Sequence, residues 1–331
     1  MNPVDNTGAE TSGVRLDFGV GTDRGLRREL NEDSFWAADP LFTVADGMGG
    51  HEAGEVASYE CIHTLGNQPF LAAGSRTATA SDMQQALHQA DARIREVTNS
   101  RAGTTVTGVV VVQERDVPYW LVFNVGDSRT YRLSQGRFGQ ISVDHSEVQE
   151  LLDGGLITPG QALIHPRRHV VTRAVGAGSD IEADFWLLPV EEGDRILVCS
   201  DGLTGELSDS QIHNALTTIE APQDVVDSLI QAALRSGGRD NITVIVVDAS
   251  NVMEASNLMS AASAETLKNP TTAPQPVVLS TGEFSQPRKT APSDAGHAID
   301  PPVTPATAPS SVPIAAAHKS AAAPLHEENH G

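Results

Sequence analysis

The chain has 331 residues and a mass of 34.9 kDa, room for one large domain or two small ones. Its 22 basic residues against 43 acidic ones give a formal charge of −21. That charge argues against a nucleic-acid backbone or an anionic membrane as partner and suits a protein that binds cations.

Residues 1–13 are polar, without the apolar centre of a signal peptide, and are expected to form a leader without structure. Positions 14–22 alternate apolar and polar side chains (Val14, Leu16, Phe18, Val20), the mark of a half-buried strand, and Asp23-Arg24-Gly25 turns the chain. The densely charged Arg28-Glu-Leu-Asn-Glu-Asp33 leads into apolar stretches around Phe35-Trp36 and at 41–45, together a two-stranded meander. Asp46-Gly47 is expected to end the second strand and leave Asp46 at its tip. Glycines 47, 49 and 50 clear side chains from beside that carboxylate, so backbone carbonyls and a ligand can approach it. An oxygen-lined metal site can be built this way, and a plain Gly-rich turn is the alternative.

A helix is expected over 54–65 with Val56, Cys61, Ile62 and Leu65 on one face. A second opens at an N-cap Ser81 and carries Met83, Leu87, Ala90, Ile94 and Val97. Strands at 104–113, 119–125 and 129–133, with tight connections, predict an antiparallel sheet. Residues 147–152 read as a short helix, and 154–169 mix Gly, Pro, Arg and His without a period, as a surface flap does. Strands follow at 181–188 and 195–199, the second ending at Ser200-Asp201-Gly202 in a repeat of the Asp46-Gly47 pattern. A capping box at Ser208 to Gln211 and Pro222 in a first turn open two helices, and Gly237 to Asn241 precedes a closing strand at 242–247.

Beyond residue 250 the composition changes. That part holds 11 of the 19 prolines and a single aromatic, Phe284, too little apolar bulk to offset chain entropy. The expected domains are therefore a folded unit at 14–250 and a Pro/Ala/Ser/Thr-rich tail without regular structure at 251–331. Cys61 and Cys199 fall inside expected elements, and neither begins a Cys-x5-Arg phosphate loop, which excludes cysteine-phosphatase chemistry. No apolar run reaches about 18 residues, so a reduced, soluble, cytoplasmic monomer is expected.

Asp33, Asp46, Asp127, Asp201 and Asp240 each stand where an apolar strand meets a glycine or polar turn. Strand ends on one edge of a sandwich converge, and carboxylates drawn together need cations to neutralise them. Mg²⁺ or Mn²⁺ are the natural occupants, against the alternative of five solvated turn aspartates. Arg28-x-x-Asn-Glu-Asp33, Val44-Ala-Asp-Gly-Met-Gly-Gly-His51, Gly126-Asp-Ser-Arg129, Cys199-Ser-Asp-Gly-Leu203 and Gly238-Arg-Asp-Asn241 occur in the order and spacing of one family. In these motifs the chain resembles the metal-dependent protein phosphatases, the PPM or PP2C family, and in particular its bacterial members that oppose Ser/Thr kinases. The resemblance implies an α+β fold, a four-layer α-β-β-α sandwich around a central antiparallel β-sandwich.

By that resemblance Asp46 is the aspartate bridging two catalytic ions, and the Gly47 carbonyl a ligand of the second. Asp201 and Asp240 complete the first ion's ligands, and Glu32 and Asp33 hold the second through waters. Asp127 joins Asp201 at a third ion. Arg28 grips the substrate phosphate with its forked guanidinium, while Arg27 has a surface role. The two ions activate a shared water that attacks phosphorus in line, so Ser200 is a turn residue rather than a nucleophile. Asn241 braces Asp240. His145 and the run His165-Pro-Arg-Arg-His169 flank the flap, with surface solvation as their plain reading. Where the family's eukaryotic pattern carries a histidine directly after the Asp-Gly pair, this chain has Met48, and His51 stands three residues on. The implied activity is dephosphorylation of phosphoserine and phosphothreonine in proteins. A switch acting on an anti-sigma-factor antagonist and a phosphoprotein-binding pseudophosphatase are the alternatives.

Overall fold

A computed structural model describes residues 14–49, 53–178 and 181–250, together with the backbone of 277–278. In chain order its strands are β1 (Arg15–Asp23), β2 (Asp33–Ala38), β3 (Leu41–Gly49), β4 (Ala102–Thr104), β5 (Val106–Glu114), β6 (Val117–Val125), β7 (Arg129–Ser134), β8 (Arg137–Gln140), β9 (Asp184–Pro189), β10 (Arg195–Cys199), β11 (Ile242–Ser250) and β12 (Val277–Val278). The helices are α1 (Ala53–Gly66), α2 (Ala80–Thr98), α3 (Glu147–Asp153), α4 (Pro159–Ala162), α5 (Asp201–Thr204), α6 (Asp209–Thr218) and α7 (Pro222–Ser236). None of the helices among the described residues is long and apolar enough to cross a membrane.

Two antiparallel sheets result, one ordered β1-β11-β10-β7-β8 and the other β12-β9-β6-β5-β3-β2 with β4 added beside β3. Strand alternation stacks the layers. In β5, Val106, Val110 and Val112 pack under α1 and α2, while Val109 and Val111 face the opposite sheet. In β11, Val244 and Val246 pack under α6 and α7, while Ile245 and Val247 meet Val109, Val111 and Trp120 between the sheets. Strands apolar on both faces belong in the middle of such a stack. Each buried valine or leucine contributes roughly 1.5–3 kcal/mol, and three cores hold the four layers α-β-β-α.

The structure departs from the sequence expectations at several points. Asp46 lies within β3 rather than at its tip, because Gly47, Met48 and Gly49 continue the strand against Thr104, Gly103 and Ala102 of β4. The strand expected at 104–113 is split at Thr105, whose N–H donates to the Asp46 carbonyl at 2.9 Å. The N-cap of α2 is Thr79, not Ser81. Its hydroxyl accepts the Asp82 N–H and the Asp82 carboxylate accepts the Thr79 N–H, a pair worth about 1 kcal/mol. Gln84, which would have completed a box at Ser81, instead donates to the Ile181 carbonyl at 2.6 Å and accepts from Ala183 N at 3.1 Å. Asp201 opens α5 instead of a turn. Within the stretch expected to lack regular structure, the backbone of Val277–Val278 pairs with Leu187 and Trp186 of β9. The leader and the rest of the tail lie outside the described residues.

Candidate functional site

Topology brings the five aspartates to one end of the sandwich. Asp33 opens β2 and faces Asp46 across the antiparallel pair. Asp46 has the strand parity of Phe42 and Val44, which pack between the sheets, so its side chain belongs to the inter-sheet face. Because β10 and β11 are antiparallel, the end of one and the start of the other coincide, which sets Asp201 and Asp240 together. Asp127 sits in the link from β6 to β7 at the same edge. Two glycines permit the close approach. A β-carbon on Gly47 would strike the Gly54 and Glu32 carbonyls, and one on Gly202 would strike the Asn241 carbonyl.

The two sheets are laced here by hydroxyls. Asp33 Oδ2 accepts from Ser200 Oγ at 2.8 Å and Thr243 Oγ1 at 2.7 Å, while its Oδ1 is buried without a hydrogen-bond partner. Burial, with the charges of Asp201 and Asp240 behind it, pushes the Asp33 carboxyl up to about 7 against the pull of those two hydroxyls. Burial and the neighbouring Asp33, Asp201 and Asp127 carboxylates hold Asp46 well above the usual range. Asp127 is pushed up to about 8 by burial and by Asp201, and Asp201 is raised by burial and by Asp240. Glu32 is raised too, again chiefly by burial. Such a cluster has the chemistry of a site for hard divalent cations: all donors are oxygens, several are desolvated, and one faces no donor. The ligand geometry is not finished, for among the described residues no three or more of His, Cys, Asp and Glu already form a metal-binding group. Asp240 is turned instead toward Arg28.

Arg28 Nη2 donates to Asp240 Oδ2 at 2.6 Å, and its Nη1 stands 3.8 Å from Glu32 Oε2. The guanidinium remains nearly half exposed at the mouth of the site, and Arg27 is exposed beside it. Asn241 knits this loop to the cluster. Its Oδ1 accepts the Glu32 N–H at 2.8 Å and its Nδ2 donates to the Arg24 and Leu30 carbonyls, both at 2.9 Å. Ser200 spends its hydroxyl on Asp33. Both thiols are buried, and burial pushes each up to about 12. Gly50, His51 and Glu52 lie outside the described residues.

One participant was not singled out by the sequence reading. Glu206, just after α5, binds Arg239 N at 2.9 Å and Arg239 Nε at 2.8 Å, while Arg239 Nη2 donates to the Gly205 carbonyl at 3.0 Å. This clamp ties the loop of Asp201 to that of Asp240, and a Thr-Gly-Glu following Asp-Gly-Leu gives no local sign of it. Of the flap residues, Arg167 pairs with Glu147, whereas His169 brings its Nδ1 to 4.0 Å from Asp201 Oδ2. His145, read as a surface residue, is buried. A recess between α6 and α7, lined by Leu207, Gln211, Asn214, Ile219 and Ala232, contains none of the carboxylates.

The protein phosphatase 2C family model matches residues 20–235. The serine/threonine protein phosphatase PstP of Mycobacterium tuberculosis is 38% identical over 245 residues, 70% of this chain but 45% of the relative, so the chain matches about half of that longer protein. The serine/threonine phosphatase stp of Listeria innocua is 35% identical over 245 residues, 95% of its length. A crystal structure of M. tuberculosis PstP aligns with a TM-score of 0.64 at 37% identity, covering 71% of this chain and 98% of that one. The catalytic domain of PstP in complex with two manganese ions aligns with a TM-score of 0.62 at 35% identity, over 72% of this chain and 100% of that one. The family model runs from β1 into α7, through four of the five aspartates, and on that extent of match the chain belongs to the protein phosphatase 2C family.

Proposed function

We propose that this protein hydrolyses phosphoserine and phosphothreonine in proteins with Mn²⁺ or Mg²⁺, opposing a Ser/Thr kinase as a cytoplasmic monomer. The observation that carries the reading is the desolvated, mutually repelling carboxylate cluster, with an unpartnered Asp33 oxygen within it and a half-exposed arginine at its mouth. Asp46, Asp201 and Asp240 would hold one ion, Asp46 and the Gly47 carbonyl a second, with Glu32 and Asp33 reaching it through waters. Asp127 with Asp201 would hold a third. The PstP relative with two bound manganese ions supports the first pair.

Ions bound here would supply the positive charge that a phosphate dianion demands and an activated water to attack it. The chain's own residues do the rest. Arg28 exchanges Asp240 for the phosphate oxygens, which suit its planar fork. Asn241 keeps the 24–32 loop in register with Asp240. No side-chain nucleophile is needed: both thiols are buried and protonated, and the Ser200 hydroxyl already donates to Asp33. Met48, half-buried in β3, has no proton to give the departing alkoxide, which leaves water to provide it. The test is hydrolysis of a phosphothreonine peptide by the full chain. Activity should vanish in chelator and return with Mn²⁺, and undiminished turnover without metal would overturn the reading.

A further inference from the structure

The flap joins the body through two feet, one at 145–147 and one at 170–173. Glu147 N–H donates to the Val170 carbonyl at 2.9 Å, Thr172 N–H donates to the His145 carbonyl at 2.8 Å, and Ser146 and Val171 form a β-bridge. His145 stands where the feet meet the sheet. Its backbone N–H donates to the Gly126 carbonyl at 2.8 Å, and its ring Nδ1 receives the Gly126 N–H at 3.1 Å. Both backbone groups of the residue before Asp127 thus bond to this one histidine, the carbonyl sharing it with Asn124 Nδ2 at 3.0 Å. A backbone N–H can only donate, so Nδ1 is the acceptor nitrogen and the ring proton sits on Nε2. Nε2 lies 3.1 Å from Asp184 Oδ2, which accepts its hydrogen bond and fixes the ring. Arg173, on the second foot, also reaches this pair: its Nη1 stands 3.2 Å from Asp184 Oδ1, to which it donates, and 3.2 Å from the ring Nε2, which as an N–H offers it no acceptor.

We infer that His145 is a positioning residue, the pin through which the flap holds the Gly126–Asp127–Ser128 turn, and with it the Asp127 carboxylate, in place for a cation. The inference rests on the proposed role of Asp127 as a metal ligand. It gives a solvent-excluded histidine a task that neither packing nor capping explains, since an apolar ring would leave the buried Gly126 N–H without a partner. It also makes flap and metal reciprocal. A substrate that shifts the feet alters the hold on Asp127, and a cation at Asp127 steadies the feet.

Two isosteres separate the ends of the ring. Asparagine can place its amide oxygen where Nδ1 stands, whereas glutamine reaches only the Nε2 end. Amide hydrogen exchange at 124–128 and 170–173 is measured on the full chain in chelator. The Mn²⁺ concentration at half-maximal hydrolysis of p-nitrophenyl phosphate and the saturated kcat are measured separately. His145→Gln should speed exchange at 124–128 and raise the half-saturating Mn²⁺ by about tenfold, the lower end of what loss of a supporting partner does to metal affinity. His145→Asn should keep both near wild type. If the two variants behave alike, whether both normal or both impaired, His145 does not act through its Nδ1 bond and the inference falls. Should neither variant fold, Asp184→Ala, which frees the ring to rotate, carries the test in the same two readouts. A wild type that turns over without metal removes the proposed function, while the exchange experiment, run in chelator, still decides the role of His145.

Discussion

Replacing Asp33 with asparagine should stabilise the metal-free protein while disabling it. One carboxylate oxygen of Asp33 is satisfied by Ser200 and Thr243, and the other is buried without a partner among carboxylates. A carboxyl raised from 3.8 to about 7 burdens the folded state at pH 8 by at most about 4 kcal/mol. Protons shared among the coupled aspartates, and water at the mouth, relieve much of that. About 1–2 kcal/mol should remain. Asparagine keeps the acceptor for both hydroxyls and presents N–H donors to neighbours that now repel Oδ1, so Tm in chelator at pH 8 should rise by about 4 °C. The sign follows from linkage. Between pH 4 and 7 the folded wild type binds more protons at this site than the unfolded chain does, so its stability falls as pH rises through that window. The advantage of the variant should therefore be small at pH 5 and full at pH 8. Thermal unfolding at both pH values, with and without Mn²⁺, measures this. A variant no more stable than wild type at pH 8 in chelator, or equally favoured at both pH values, would refute the account.

Arg28→Ala should raise KM for a phosphothreonine peptide more than it lowers kcat. Because Arg28 competes for Asp240 in the metal-free protein, the same variant should need no more Mn²⁺ for half-activation than wild type does, and a large increase would contradict that. Cys61 and Cys199 should resist a water-soluble thiol reagent in the native protein at pH 8 and react on unfolding; rapid native labelling would show that the cores open. Cutting after Ser250 should change stability by no more than about 1 kcal/mol and leave the rate on p-nitrophenyl phosphate near that of the full chain, and a truncated protein that fails to fold would move the domain boundary.

Unbroken apolar runs revealed β5, β10 and β11 because strands covered on both faces carry few other residues. The aspartates were legible for the same reason, as charges ending apolar runs. The glycines were not. Gly47 and Gly49 signal a turn locally, and only the distant Ala102–Thr104 partner makes them strand. Four-residue β8 and three-residue β4 are too short to show a period. The choice of Thr79 over Ser81 as cap was made by Ile181 and Ala183, which claim Gln84 from about a hundred residues away. Glu206 and the task of His145 stayed hidden because each acts on a backbone brought near only by the finished sheets.

In sheet one, β1 pairs along its whole nine residues with β11, Arg15 opposite Ser250 and Asp23 opposite Ile242. Within this sheet the first strand made is therefore sealed by the last. On the ribosome β1 emerges early and waits for nearly the whole domain before its partner exists, which makes closure a late, long-range event during which an open edge must be kept from other chains. A circular permutant that joins the ends of β1 and β11 and opens the turn between β7 and β8 would turn that closure into a local hairpin. It should reach the same folded state sooner and with less loss to aggregation.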